Sequence, residues 1–152
     1  MTAILEGVVL SRLYLSAFMF KIPKKSQYGL RVMAYLSSRY KKQGIFNIKE
    51  IAEHENIPFD YLEKIMERLR EGKLLKSKKG MNGGYFLSKS PKEIKVKDII
   101  DALEENLSLV TCLDKNTLCG NKSKCVARFV WQKLQNSLDN TLNSIKLTDI
   151  AK

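Results

Sequence analysis

The sequence predicts a mainly helical fold with a small β-wing: a winged helix-turn-helix followed by a long C-terminal helix. Three observations carry this. Two amphipathic helical stretches flank a short turn near Glu55–Pro58. A basic, glycine-rich hairpin follows directly. The chain then ends in a long stretch whose Val130, Leu134, Leu138, Leu142 and Ile145 fall on one helical face.

Met1–Met19 is apolar but interrupted by Glu6 and Arg12, and it lacks a basic leading region. It therefore suits neither a signal peptide nor a membrane span. Residues 1–18 read as an extension outside the fold, with Met19 as a plausible alternative start. A short amphipathic helix packed on the domain is the other reading. From Ser26, a candidate N-cap, the stripe Tyr28, Leu30, Val32, Met33, Tyr35 and Leu36 predicts a first helix ending at Gln43-Gly44. Asn47 with Glu50 has the spacing of a capping box, and Ile48, Ile51 and Ala52 form the buried side of a short second helix. Pro58 suits the first turn of a third helix, whose Leu62, Ile65, Met66 and Leu69 repeat at i, i+3, i+4 and i+7. Gly72 fits its C-terminal cap.

Residues 74–78 and 85–89 predict two strands joined through Gly80, Asn82, Gly83 and Gly84. A basic hairpin behind a helix-turn-helix reads as a wing, with Lys76, Lys78 and Lys79 near phosphates or a groove. Lysines on a solvated edge that discourage aggregation are the plainer alternative. After Pro91, residues 95–105 predict a helix burying Val96, Ile99, Ile100 and Leu103. Residues 106–124 predict a loop, and residues 124–146 a final helix. Its single apolar face either meets a second copy or packs on its own domain. Three segments result: the extension 1–18, a DNA-binding domain over 19–97, and residues 98–152 as linker helix, cysteine loop and dimerisation helix.

The charge follows the same division. The chain of 152 residues carries a net charge of +11 and 44% hydrophobic residues, enough for one core. Residues 21–97 hold 19 Lys/Arg against 8 Asp/Glu, whereas residues 98–152 hold 7 of each. A basic block beside a neutral one suggests a phosphate-facing module joined to a second function, although a basic surface also serves solubility. No nucleotide fingerprint and no nucleophile–base constellation is present, so a small thiol or metal enzyme finds little support.

All three cysteines lie between residues 112 and 125: Cys112 and Cys119 in the predicted loop, and Cys125 at the start of the predicted final helix. An odd, clustered set argues against a secreted disulfide framework and suits a reducing cytoplasm. Metal ligation, a structural zinc site and thiol redox chemistry all remain open on spacing alone. His54, the single histidine, falls on the first motif helix and reads as a solvated or capping residue.

The runs KIPKKSQYGLRVMAYL, DYLEKIMERLREGKLL, KGMNGGYFL and IKVKDIIDALE, with the spaced cysteines, resemble the Rrf2 family of winged-helix transcription regulators over about residues 20–150. The resemblance implies a cytoplasmic, sequence-specific regulator that binds double-stranded DNA as a homodimer, with no membrane. It implies DNA contacts at Pro58, Phe59, Asp60, Tyr61, Glu63 and Lys64 on the recognition helix. On the wing it implies Lys78, Lys79, Gly80, Gly83 and Gly84. Lys79 stands where the family usually has arginine, so it lacks the planar fork suited to a narrow minor groove. The resemblance further implies that Cys112, Cys119 and Cys125 ligate a 2Fe–2S or 4Fe–4S cluster sensing redox, iron or nitric oxide status. The family's fourth ligand, a histidine or a partner-subunit carboxylate, is replaced here by Arg128 and Gln27. Asp114, Asn116, Gln27, a small thiol or water are the candidates. The alternative is a cluster-independent regulator controlled by a partner protein, a small-molecule signal or thiol oxidation.

Overall fold

A computed structural model describes residues 21–42, 44–114 and 117–151. The expectations for the extension 1–18 and for Met19 fall outside these residues, as does Asn116. Helix α1 spans Lys24–Ser38. Pro23, not Ser26, occupies its N-cap position, and the Pro23 carbonyl accepts the Gln27 N–H at 3.2 Å. Ser26 lies within the first turn and is buried, so its hydroxyl serves a tertiary contact instead of a cap. Val32, Met33, Tyr35 and Leu36 are buried, with Tyr28 and Leu30 packed against them. A 3-10 turn at Tyr40–Lys42 follows.

Helix α2 spans Ile48–Glu55, and Asn47 caps it by accepting the Lys49 N–H at 2.9 Å. The expected second half of the capping box is not made. The Glu50 carboxylate instead accepts the Tyr35 hydroxyl at 2.9 Å, which ties α2 to α1. Asn56 then takes a left-handed conformation (φ 50°), which its short polar side chain tolerates, and the chain turns into α3, Phe59–Glu71. Leu62, Ile65, Met66 and Leu69 are all buried, each contributing roughly 1.5–3 kcal/mol by removing apolar surface from water. Gly72 caps α3, but the left-handed residue is Lys73 (φ 59°). Gly72 is required for space: a Cβ there would lie 2.6 Å from the Ala102 Cβ.

The wing is an antiparallel pair, β1 (Leu75–Lys78) and β2 (Gly84–Leu87), in the register Leu75↔Leu87 to Lys78↔Gly84. Phe46, just before α2, adds a bridge to Tyr85 through hydrogen bonds of 3.0 and 2.9 Å. The wing is thereby stitched to the entry of the helix-turn-helix.

Helix α4 spans Val96–Leu103 and buries Val96, Ile99, Ile100 and Leu103 against α1 and α3. It therefore shares the core of the winged motif. Helix α5 spans Ala127–Ser144. It stops short of the predicted Lys146 because the next residues pair with the segment before α4. Val96 N–H bonds the Ile145 carbonyl at 2.9 Å, and Leu147 N–H bonds the Ile94 carbonyl at 2.8 Å. These bonds replace helical ones and send Leu147, fully buried, back into the core on a last short helix, α6 (Leu147–Ile150). No helix among the described residues is long and apolar enough to cross a membrane.

Candidate nucleic-acid interface and cysteine loop

The α2–turn–α3 unit presents one end of α3 outward. Phe59, Asp60, Tyr61, Glu63 and Lys64 are exposed around the first two turns, while their neighbours Leu62, Ile65 and Met66 are buried. Pro58 sets the helix entry without a side-chain cap, so first-turn N–H groups and the positive end of the helix dipole face outward. Tyr61 is not free to swing: its ring meets Tyr28 edge-on at 5.7 Å, and the Arg31 guanidinium sits over Tyr28. Arg31 itself pairs with Glu55, which fixes the end of α2 to α1.

The wing offers Lys76, Lys78, Lys79, Gly80 and Asn82 to solvent. Gly80 adopts φ +109°, with open space around it, so its backbone conformation demands glycine. Gly83 and Gly84 answer a different need. A Cβ on Gly83 would lie 2.3 Å from the Lys78 carbonyl oxygen, and one on Gly84 2.3 Å from that of Phe46. Both therefore shape the hairpin. Lys64, Lys76, Lys78 and Lys79 form no ion pair with another described residue, whereas Lys25, Arg31, Arg68 and Lys97 all do. The recognition helix and the wing thus each present cations that no described carboxylate neutralises.

The cysteine loop leaves α4 at Glu104 and is held at several points. Glu104 accepts the buried Ser26 hydroxyl at 2.6 Å and pairs with Lys25 at 3.4 Å. Leu109 N–H bonds the Gln135 side chain at 2.9 Å. Cys112 sits in a 3-10 turn, Thr111–Leu113, and its carbonyl accepts from Arg128 at 2.8 Å. The Arg128 N–H in turn bonds the Cys125 carbonyl at 3.3 Å. One residue at the start of α5 therefore holds the backbones of the first and third cysteines. Cys112 and Cys119 are half-buried, Cys125 is exposed, and all three are free thiols.

Among the described residues, no three Cys, His, Asp or Glu side chains converge at metal-binding distance. The donor chemistry nevertheless fits an iron–sulfur cluster, because three soft thiols lie on one short loop with solvent access. Two of the candidate fourth ligands are already engaged. Gln27 donates to the Ile22 carbonyl at 2.7 Å, and Asp114 accepts from Asn106. His54 lies in a separate surface cluster, between Glu55 at 3.1 Å and Arg39 at 3.4 Å, with its ring 4.6 Å from Tyr35.

Two features escaped sequence reasoning. Arg128 reads on sequence only as a missing histidine, yet it fastens the loop. Lys97 bridges α4 and α5, pairing with Asp101 and lying 3.6 Å from Asp139. Burial alone would lower the Lys97 ammonium pKa, but the Asp101 hydrogen bond and the two carboxylate charges outweigh it and hold the pKa above the ordinary lysine value. Burial, then the hydrogen bond to Glu50, likewise raises the Tyr35 phenol. The i, i+4 spacing of Lys97 and Asp101 was a local signal; the Asp139 partner left none.

A family model described as "Rrf2: Iron-dependent Transcriptional regulator" matches residues 22–152. The chain is 31% identical to Protein rrf2 of Nitratidesulfovibrio vulgaris over 132 residues, covering 87% of each. Among solved structures it is similar to IscR of T. potens, at 34% identity and TM-score 0.69, covering 88% of each chain. It is also similar to CymR, the global cysteine regulator of B. subtilis. The identity there is 32% and the TM-score 0.70, covering 88% of this chain and 97% of that one.

Proposed function

Because the chain belongs to the Rrf2 family of DNA-binding transcriptional regulators, and is not an enzyme, we propose that it binds operator DNA as a homodimer under the control of an iron–sulfur cluster. The exposed start of α3 enters a major groove, where Glu63 accepts from cytosine N4 and Lys64 donates to guanine or phosphate. Pro58, Phe59, Asp60 and Tyr61 set the entry of that helix and flank the contact. Lys78, Lys79 and Gly80 lie along the adjacent backbone or minor groove, while Gly83 and Gly84 keep the wing narrow. The observation that carries this reading is the exposed start of α3 together with a glycine-shaped wing that offers Lys76, Lys78 and Lys79 to solvent, both within the stretch 21–97 that holds the chain's cationic surplus.

A second copy covers α5, whose Phe129, Val130 and Leu134 are 72%, 51% and 45% exposed. Cys112, Cys119 and Cys125 hold the cluster, which when bound supplies a centre responsive to redox state, iron supply or nitric oxide. Arg128 keeps two of the three ligand backbones at the foot of α5, so a change in the loop reaches the dimerisation helix directly. The test is anaerobic purification followed by a visible spectrum, iron and sulfide content, and operator affinity. Each single Cys→Ala variant is expected to lose the colour while keeping its helical circular dichroism and its dimer. A colourless, iron-free wild-type protein overturns the cluster.

A second reading keeps the DNA binding and replaces the cluster with thiol oxidation or a partner protein. The separation of the three thiols and the exposure of Cys125 favour it. It predicts an iron-free protein whose operator affinity changes on treatment with a thiol oxidant.

A further inference from the structure

A cavity of about 690 Å³ lies between the end of α1 and the inner side of the wing. It falls within the size range of small-molecule sites. Leu36, Ile45, Phe46, Phe86 and Leu87 give it an apolar body, with the Tyr40 ring beside them. Its charged groups are Lys41 and Lys78, and no carboxylate lines it among the described residues. Neither lysine pairs with a described acid. An apolar enclosure edged only by cations selects an apolar molecule with an anionic head.

We propose that this cavity binds a small amphiphilic carboxylate, with its hydrocarbon or aryl body against Phe46 and Phe86 and its head at Lys41 and Lys78. The walls give such a ligand a route to DNA affinity. Phe46 is hydrogen-bonded to Tyr85 on β2, and Lys78 ends β1 next to Lys79. An occupant would neutralise Lys78 and brace the wing against the entry of α2. Bound carboxylate and bound DNA would therefore oppose each other, and by linkage each would weaken the other. This effect on DNA rests on the interface proposed above, whereas occupancy of the cavity does not.

The experiment uses decanoate as probe, with decanol as its neutral counterpart, followed by calorimetry and by chemical-shift changes on the full chain. Saturable decanoate binding is expected, with shifts centred on Phe46, Ser77 and Phe86. Lys41→Met is expected to weaken decanoate at least tenfold and leave decanol unchanged. Filling the cavity with Ser77→Trp, or independently with Ile45→Trp, is expected to abolish both, with circular dichroism confirming the fold. Absence of saturable binding overturns the proposal. So does binding that survives both tryptophan variants, and so does equal affinity for decanoate and decanol. Addition of decanoate to the protein–DNA complex is a separate readout. Binding at the cavity without any effect on DNA affinity supports the site and removes the linkage; loss of the site with DNA binding intact leaves the interface standing.

Discussion

The hydroxyl of Ser26 donates to Glu104 Oε1 at 2.6 Å across 78 residues of sequence. Ser26 is buried in the first turn of α1, and Glu104 is the residue at which the chain leaves α4 for the cysteine loop. Lys25 adds an ion pair to the same carboxylate. The start of α1 and the root of the loop are thus one unit.

Ser26→Ala removes the only donor in this unit that is itself buried. A hydrogen bond to a charged acceptor contributes about 1–3 kcal/mol, so unfolding by urea should show a loss in that range with an unchanged slope. Lys25→Ala, at the exposed edge, should cost less than about 1 kcal/mol. If Lys25→Ala proves the costlier change, the hydrogen bond is not what anchors the loop.

Gly72→Ala should destabilise the fold by about 1–3 kcal/mol, because the new methyl would meet Ala102 Cβ at 2.6 Å where α3 passes α4. The double variant Gly72→Ala with Ala102→Gly restores the space and should recover part of the loss, a coupling that a thermal double-mutant cycle measures. Additive losses would mean that the helices simply move apart.

Alkali should weaken the fold through Tyr35 and Lys97. Both have folded pKa values raised above their ordinary 10.0 and 10.5. In each case the folded state favours the protonated form, so the contribution is fully present below about pH 10 and is lost as pH rises through the folded values. Denaturant unfolding between pH 8 and 12 should show stability falling above pH 10. A variant combining Tyr35→Phe and Lys97→Met should show a shallower fall, and an identical slope would exclude these two groups as its source.

DNA affinity should drop steeply with added salt, since phosphate neutralisation by the basic block releases counterions. Lys64→Ala should weaken binding and relax base preference in one half-site, whereas Lys79→Ala should weaken binding to most sequences alike. Equal, negligible effects of both would place the DNA face elsewhere.

Much of this architecture was legible before any coordinates. The buried set Leu62, Ile65, Met66 and Leu69 followed from helical period, because burial on one face is a local pattern. Asn47 was legible as a cap, and the Gly80–Gly84 hairpin as a wing, because caps and turns are short-range chemistry. The candidate recognition residues came instead from the family resemblance; local pattern marks which side of α3 is buried and assigns no DNA contact. Errors arose wherever a side chain had a distant alternative. Glu50 fits a capping box until Tyr35 is brought beside it, and Ser26 fits a cap until Glu104 is.

Local pattern along the chain sets which faces are buried, where the chain turns and which segments carry charge or thiols, because these depend on neighbours within a few residues. The partner each polar group takes is settled by packing in three dimensions. Packing assigned Gly72 to clearance from Ala102, Arg128 to the cysteine backbones and Lys97 to Asp139. It also ended α5 at Ser144, because pairing with the residues before α4 buries Leu147, which two more helical residues would not. Such choices compare a local hydrogen bond with a remote one of similar strength, and the balance is tipped by burial that exists only once the helices have packed.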